Sequence, residues 1–296
     1  MTRVFFVLLL VTVLVLGISN LLPHRKTQTE NTSLLVVSSI YPLYEFAREV
    51  GGSHVTSTLI TPSGVEPHEY EPTPKDILAI SKSDLFLYVS PFLEPWAKKT
   101  IATFSQGKPL VLEASSITTL ENNDPHIWLD PVIAIDIVNA IKNSLTTLDP
   151  THANKYEANA NIYIEKLKTL DQAYKSLSFC REKYIVTTHN AFRYLAKRYG
   201  FTVYPIAGLS PEDEPSAQKL AEIMTLVKEK NIRYIFYETL VANTIAETVS
   251  RQTGAKSTIF NPIEGLTREE MKINKTYIDI QNENIERLKL ALVCQQ

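Results

Sequence analysis

The stretch 151–177, THANKYEANANIYIEKLKTLDQAYKSL, contains neither glycine nor proline. Its apolar residues Ala153, Tyr156, Ala160, Tyr163, Leu167, Leu170 and Tyr174 recur every three or four positions, the period of one helix face. A helix of that length spans roughly 40 Å at 1.5 Å per residue. On its N-terminal side, the apolar or β-branched runs Leu34–Ser39, Val55–Ile60, Asp84–Val89 and Pro109–Leu112 alternate with helical patterns over Pro42–Val50, Pro74–Lys82 and Glu94–Phe104. On its C-terminal side the alternation resumes. Strands are predicted at Tyr184–Thr188, Thr202–Ile206, Tyr234–Tyr237 and Ser257–Phe260, and helices at Ala191–Tyr199, Pro215–Lys230, Val241–Thr253 and Glu269–Leu292. Such alternation predicts parallel sheets with crossover helices. The fold class is therefore α/β: two lobes, each with a mostly parallel sheet flanked by helices, joined by a long rigid interdomain helix. The expected boundaries are 33–150 for the first lobe, 151–178 for the linking helix and 179–296 for the second lobe. A helix is stiffer than a hinge loop, so little lobe motion is expected.

At 296 residues the chain is long for one core, which agrees with two lobes. Apolar residues make up 44% and charged residues 21%, which excludes extensive disorder. A net charge of −2 leaves no electrostatic footprint for nucleic acid. The nine glycines form no phosphate loop, and neither a GxSxG elbow nor an HExxH helix is present.

At the N-terminus, Arg3 precedes an apolar run from Val4 to Ile18, with the small residues Gly17 and Ser19 placed for cleavage. Residues 1–19 read as a signal peptide or, extended by Leu21 and Leu22, as an uncleaved anchor. A polar tether, 20–32, follows. Asn20 stands where a lipoprotein would need cysteine, so export to the periplasm without lipidation is expected. In an exported protein Cys180 and Cys294 can pair, but two free thiols fit the sequence equally well.

Three histidines occupy matching places. His68 lies in Val65-Glu66-Pro67-His68-Glu69-Tyr70-Glu71-Pro72-Thr73-Pro74, a loop stiffened by three prolines. Its end reads as a helix start, with Thr73 as N-cap and Pro74 first in the helix. His126 lies in Asp124-Pro125-His126-Ile127-Trp128-Leu129-Asp130-Pro131, and His189 in Thr188-His189-Asn190-Ala191-Phe192. Each follows a strand or stiff loop and precedes a helix. Their separations far exceed those of a zinc-finger module, so they can meet only through tertiary structure. Any one alone reads better as a cap or a satisfied loop residue; three in one architectural context favour a shared site. His24, His54 and His152 lack that context and read as surface residues.

These motifs, with the later Phe236-Tyr237-Glu238 and Asn261-Pro262-Ile263-Glu264-Gly265-Leu266-Thr267, resemble the metal-binding periplasmic components of zinc/manganese ABC transporters, the cluster A-I solute-binding proteins. The resemblance runs from about Leu34 to the C-terminus. It implies one metal ion between two lobes, delivery to an ABC-type membrane permease, no catalysis, and a monomer. The family's ligands carry over to His68, His126, His189 and Glu264. The manganese-binding branch has glutamate at the third position; His189 here favours Zn2+, with Mn2+ or iron as the alternative. Ala114–Asn123 lacks the His-rich insertion of many zinc-specific members. Glu238 is the rival fourth ligand, but suits better the role of accepting a ligand imidazole's N–H. Asp130 reads first as a helix N-cap and second as a similar partner, and Tyr70 and Trp128 as packing. From other function classes, a zinc-dependent hydrolase and a surface adhesin are the alternatives. The hydrolase needs an open coordination position and a general base, neither of which the motifs supply.

Overall fold

The computed structural model describes residues 33–104 and 107–294, and the expectations for the leader and tether lie outside them. The first half runs β1 (Leu34–Ser38), α1 (Tyr41–Gly51), β2 (Val55–Leu59), α2 (Pro74–Lys82), β3 (Leu85–Tyr88), α3 (Pro95–Ile101), β4 (Leu110–Glu113) and α4 (Pro131–Leu148). Then comes α5 (Ala153–Lys175), the long helix. The second half runs β5 (Tyr184–Thr187), α6 (Arg193–Tyr199), β6 (Thr202–Pro205), α7 (Ala217–Glu229), β7 (Tyr234–Tyr237), α8 (Thr244–Thr253), β8 (Lys256–Ile259), α9 (Arg268–Lys272) and α10 (Tyr277–Ala291).

All strand pairings are parallel, in two four-stranded sheets ordered β2-β1-β3-β4 and β6-β5-β7-β8. The two orders are the same, so the halves repeat one topology without an obvious sequence repeat. Strand β3, Leu-Phe-Leu-Tyr, is buried at every position, as a strand covered on both faces must be. Helix α2 begins with the expected cap: the Thr73 hydroxyl accepts from Asp76 N while the Asp76 carboxylate accepts from Thr73 N. Pro74, Pro95 and Pro131 stand in the first turns of their helices, where a missing N–H costs nothing.

Helix α5 is bounded by short 3-10 turns, Pro150–His152 and Ser176–Phe179, and so is shorter than its periodic sequence suggested. Its buried stripe holds Tyr156, Ala160, Tyr163, Leu167, Leu170 and Tyr174. The N-terminal part reaches the first half: Asn159 Nδ2 donates to the Val50 carbonyl at 3.0 Å, and the Tyr163 hydroxyl donates to Glu45 at 2.7 Å. The C-terminal part reaches the second: Tyr174 stacks on Tyr199 and donates to Gln281 Oε1 at 2.5 Å. One continuous apolar core follows, containing Val36 and Leu85 from the first sheet and Ile185 and Phe236 from the second.

A second helix boundary also changes. The final helix, read as one run over Glu269–Leu292, is two helices, because Asn274 turns the chain at φ 52° and a Thr276–Asp279 capping box starts α10. His54 and His152, both half-buried, stack their rings at 3.8 Å, and His152 Nδ1 lies 2.6 Å from Asp149. Cys180 and Cys294, left open by the sequence, form a disulfide that ties the end of α10 to the segment after α5. Among the described residues, no helix is long and apolar enough to cross a membrane.

Candidate metal centre

Parallel sheets present their loops at the carboxyl ends of the strands. His68 follows β2, His126 follows β4, His189 follows β5 and Glu264 follows β8, so both sheets aim a loop pair into the same cleft. The structure brings all four side chains together. From His126 Nε2, the nearest atoms are His68 Nε2 at 3.2 Å, His189 Nε2 at 3.3 Å and Glu264 Oε1 at 3.0 Å. Glu264 Oε1 is also 3.5 Å from the Nε2 atoms of His68 and His189. A tetrahedral Zn2+ with ligand bonds near 2.05 Å needs ligand–ligand edges of about 3.3 Å. These five separations, 3.0–3.5 Å, bracket that edge, and all four ligand atoms lie within 4.8 Å of one another.

The surroundings fix which ring nitrogen faces the centre. His126 Nδ1 lies 2.7 Å from Asp124 Oδ1, and His189 Nδ1 lies 2.5 Å from Glu238 Oε1. A carboxylate accepts, so each Nδ1 carries a proton, and loss of the ring's second proton leaves the lone pair on Nε2, facing the cluster. Thr188 Oγ1 also donates to Glu238 Oε1, at 2.6 Å, and Asp124 Oδ1 takes the His126 backbone N–H at 3.0 Å. His126, His189 and Glu264 are almost wholly buried, and both Glu264 oxygens lack a hydrogen-bond partner among the described residues. Buried orphan carboxylate oxygens are costly unless a cation meets them.

The electrostatics record the same crowding. Burial works to lower the pKa of His189, but the Glu238 and Glu264 carboxylates overcome it and hold the pKa well above the usual value. His126 is likewise raised by Asp124 and Glu264 against its burial. Burial would raise Glu264, yet the three facing imidazoles hold it well below the usual carboxylate range. Glu66 goes the other way: burial, then the Glu264 charge, push it up to about 9.

Of the residues named from sequence, Glu238 sits behind His189, and Asp130 is not brought to the cluster. Asp130 caps α4 through Val132 N at 2.9 Å and pairs with Arg198 of α6 at 2.5 Å, linking the halves. Asp124 and Glu66 had no assigned role. For Asp124 the signal was its position two residues before His126, which an ordinary turn residue shares. Glu66 Oε1 accepts the His68 backbone N–H at 3.0 Å and stiffens that loop. One expectation arises here: Glu238→Gln, which can still accept the His189 proton but lacks the charge, should weaken zinc binding by about tenfold in chelator competition. Unchanged affinity would show that the charge behind His189 is not felt at Nε2.

Two α/β lobes meeting at the carboxyl ends of their strands define the class of two-lobed solute-binding proteins. The chain belongs to the family described as zinc-uptake complex component A, periplasmic, whose model matches residues 36–291. These are extracytoplasmic binding components of zinc transport, not enzymes. The chain is 37% identical over 308 residues to the high-affinity zinc uptake system protein ZnuA of Bacillus subtilis, with 97% of each covered. It is 38% identical over 276 residues to the zinc-binding lipoprotein AdcA of Streptococcus pneumoniae, covering 86% of this chain but 55% of that relative. In structure it is similar to the Zn(II)-bound ZnuA-like domain of that AdcA, with TM-score 0.80, 39% identity, and 88% of this chain and 99% of the other covered. It is also similar to the laminin-binding protein Lmb of Streptococcus agalactiae, described as bifunctional with adhesin and metal-transporting activity, with TM-score 0.80, 37% identity, and 88% and 100% covered.

Proposed function

We propose that this chain captures one Zn2+ through His68, His126, His189 and Glu264 and delivers it to an ABC-type permease. The observation that carries the proposal is the set of near-tetrahedral edges among four ligand atoms whose tautomers are already fixed by Asp124 and Glu238. Four protein ligands close the shell and leave no corner for a hydrolytic water, in keeping with a carrier. Three imidazoles favour Zn2+ over Mn2+, which prefers oxygen-rich, six-coordinate sites. Residues 33–150 and 179–296 act as the two walls, with 151–178 holding their spacing, and the protein works as a monomer. Residues 1–19 direct export, as a cleaved signal peptide or an uncleaved anchor.

Elemental analysis of the purified chain, followed by zinc-versus-manganese competition, tests the proposal. One equivalent of zinc, not displaced by excess manganese, is expected; manganese retained in competition would overturn the metal assignment. In cells, loss of the protein should produce an uptake defect that excess zinc restores. The described adhesin activity of the streptococcal structure makes laminin binding a second reading, tested by surface binding with and without zinc.

A further inference from the structure

The backbone that carries Glu264 is held at nearly every peptide. Asn284 on α10 donates from Nδ2 to the Asn261 carbonyl at 2.7 Å and accepts from Asn261 N at 3.0 Å. Asn261 Oδ1 in turn accepts from Ile263 N at 2.8 Å. The Pro262 carbonyl accepts from the indole N–H of Trp128 at 2.8 Å, and the Glu264 carbonyl accepts from Tyr41 N at 3.2 Å. Between these clamps Ile263, fully buried, adopts φ 59°. A β-branched residue in the left-handed region is an outlier that persists only where its surroundings over-determine it. Relaxed to negative φ, Ile263 would swing the Cα–Cβ bond of the next residue, Glu264, away from the imidazoles.

One clamp differs from the others in origin. Trp128 belongs to the first lobe and stands two residues after His126. Its side chain is fully buried, and its own carbonyl accepts from the Tyr277 hydroxyl at 2.5 Å. The loop that presents His126 Nε2 therefore also holds the strained backbone that presents Glu264 Oε1, 3.0 Å away. We propose that Trp128 is a positioning residue for the metal centre: its indole N–H, reaching across the lobes to Pro262, keeps Ile263 strained and so aims the Glu264 carboxylate at the three imidazoles. The inference rests on Glu264 being a metal ligand. Trp128 itself touches no ion.

The test is Trp128→Phe, which keeps an aromatic ring in the core and deletes the donor. Zn2+ affinity and the visible spectrum of the Co2+-loaded protein are measured in the parent and in Glu264→Gln. In the parent, Trp128→Phe should weaken Zn2+ by about tenfold, the scale of one lost hydrogen bond to a buried carbonyl, and should shift the Co2+ bands. In Glu264→Gln the same change should alter affinity by less than about twofold, because the group being aimed has already lost its charge. An equal loss in both backgrounds, or no loss in the parent, overturns the inference and leaves Trp128 as packing. If Trp128→Phe does not fold, Asn284→Ser loosens the same backbone from within the second lobe and is judged by the same comparison. Should Glu264→Gln by itself leave Zn2+ affinity and the Co2+ spectrum unchanged, the ligand assignment fails first and the positioning role with it.

Discussion

Replacing His189 with alanine is expected to weaken zinc binding by at least about a hundredfold and to remove most of the thermal stabilisation that zinc confers. Apparent binding energies of about 10–16 kcal/mol for four-ligand zinc sites correspond to roughly 3 kcal/mol per ligand, which is about two decades in affinity. For the intact site, zinc at about 100 times Kd should stabilise the fold by roughly 2.7 kcal/mol. The relevant quantity is the difference between metal-free and zinc-loaded unfolding, not the absolute midpoint. His189→Ala also strips Glu238, 3% exposed, of the Nδ1–H it accepts, and so destabilises the metal-free protein on its own account. His54→Ala is the control, since it disturbs a stacked histidine pair outside the cluster and should leave the zinc shift intact. A zinc shift in His189→Ala equal to the parent's would mean that the ion is held elsewhere.

What was legible in the chain, and what was not, divides along a physical line. The strands and helices were readable because their signals are local: β-branched runs for strands, and Gly200 and Gly254 as left-handed helix stops, at φ 75° and 79°. The break before α10 had a local signal too, the Thr276-x-x-Asp279 box, which the reading of one helix over Glu269–Leu292 passed over. The three histidines stood out by their common setting between strand and helix. Asp124 did not, because an Asp before Pro has an equal claim as a turn former. Least legible was the conformation of Ile263, since isoleucine is among the last residues expected at positive φ. That conformation is imposed from Trp128, Tyr41 and Asn284, residues distant in sequence, and no local preference reports it.

Zinc affinity should fall steeply as pH drops, by at least about a hundredfold per pH unit once both raised imidazoles are protonated. His126 and His189 carry pKa values above the ordinary 6.5 in the metal-free fold, set against their burial by the facing carboxylates. Zinc needs each Nε2 unprotonated, so below those values it must displace two protons, each contributing about tenfold per pH unit. Glu264, held well below the carboxylate range, stays ionised and adds no proton to the count. The metal-free fold responds in the opposite sense. A raised imidazole contributes stability that is fully present below its unfolded value, near 6.5, and is lost as pH rises through the folded value. Raising the pH from 6 to 8 should therefore weaken the metal-free protein at this site while strengthening the zinc complex, and the zinc-induced thermal shift should widen. Calorimetric titration in buffers of different ionisation heat counts the protons released. At least two per zinc are expected near pH 6; a count near zero, with affinity flat across the range, would mean that these imidazoles do not bind the ion.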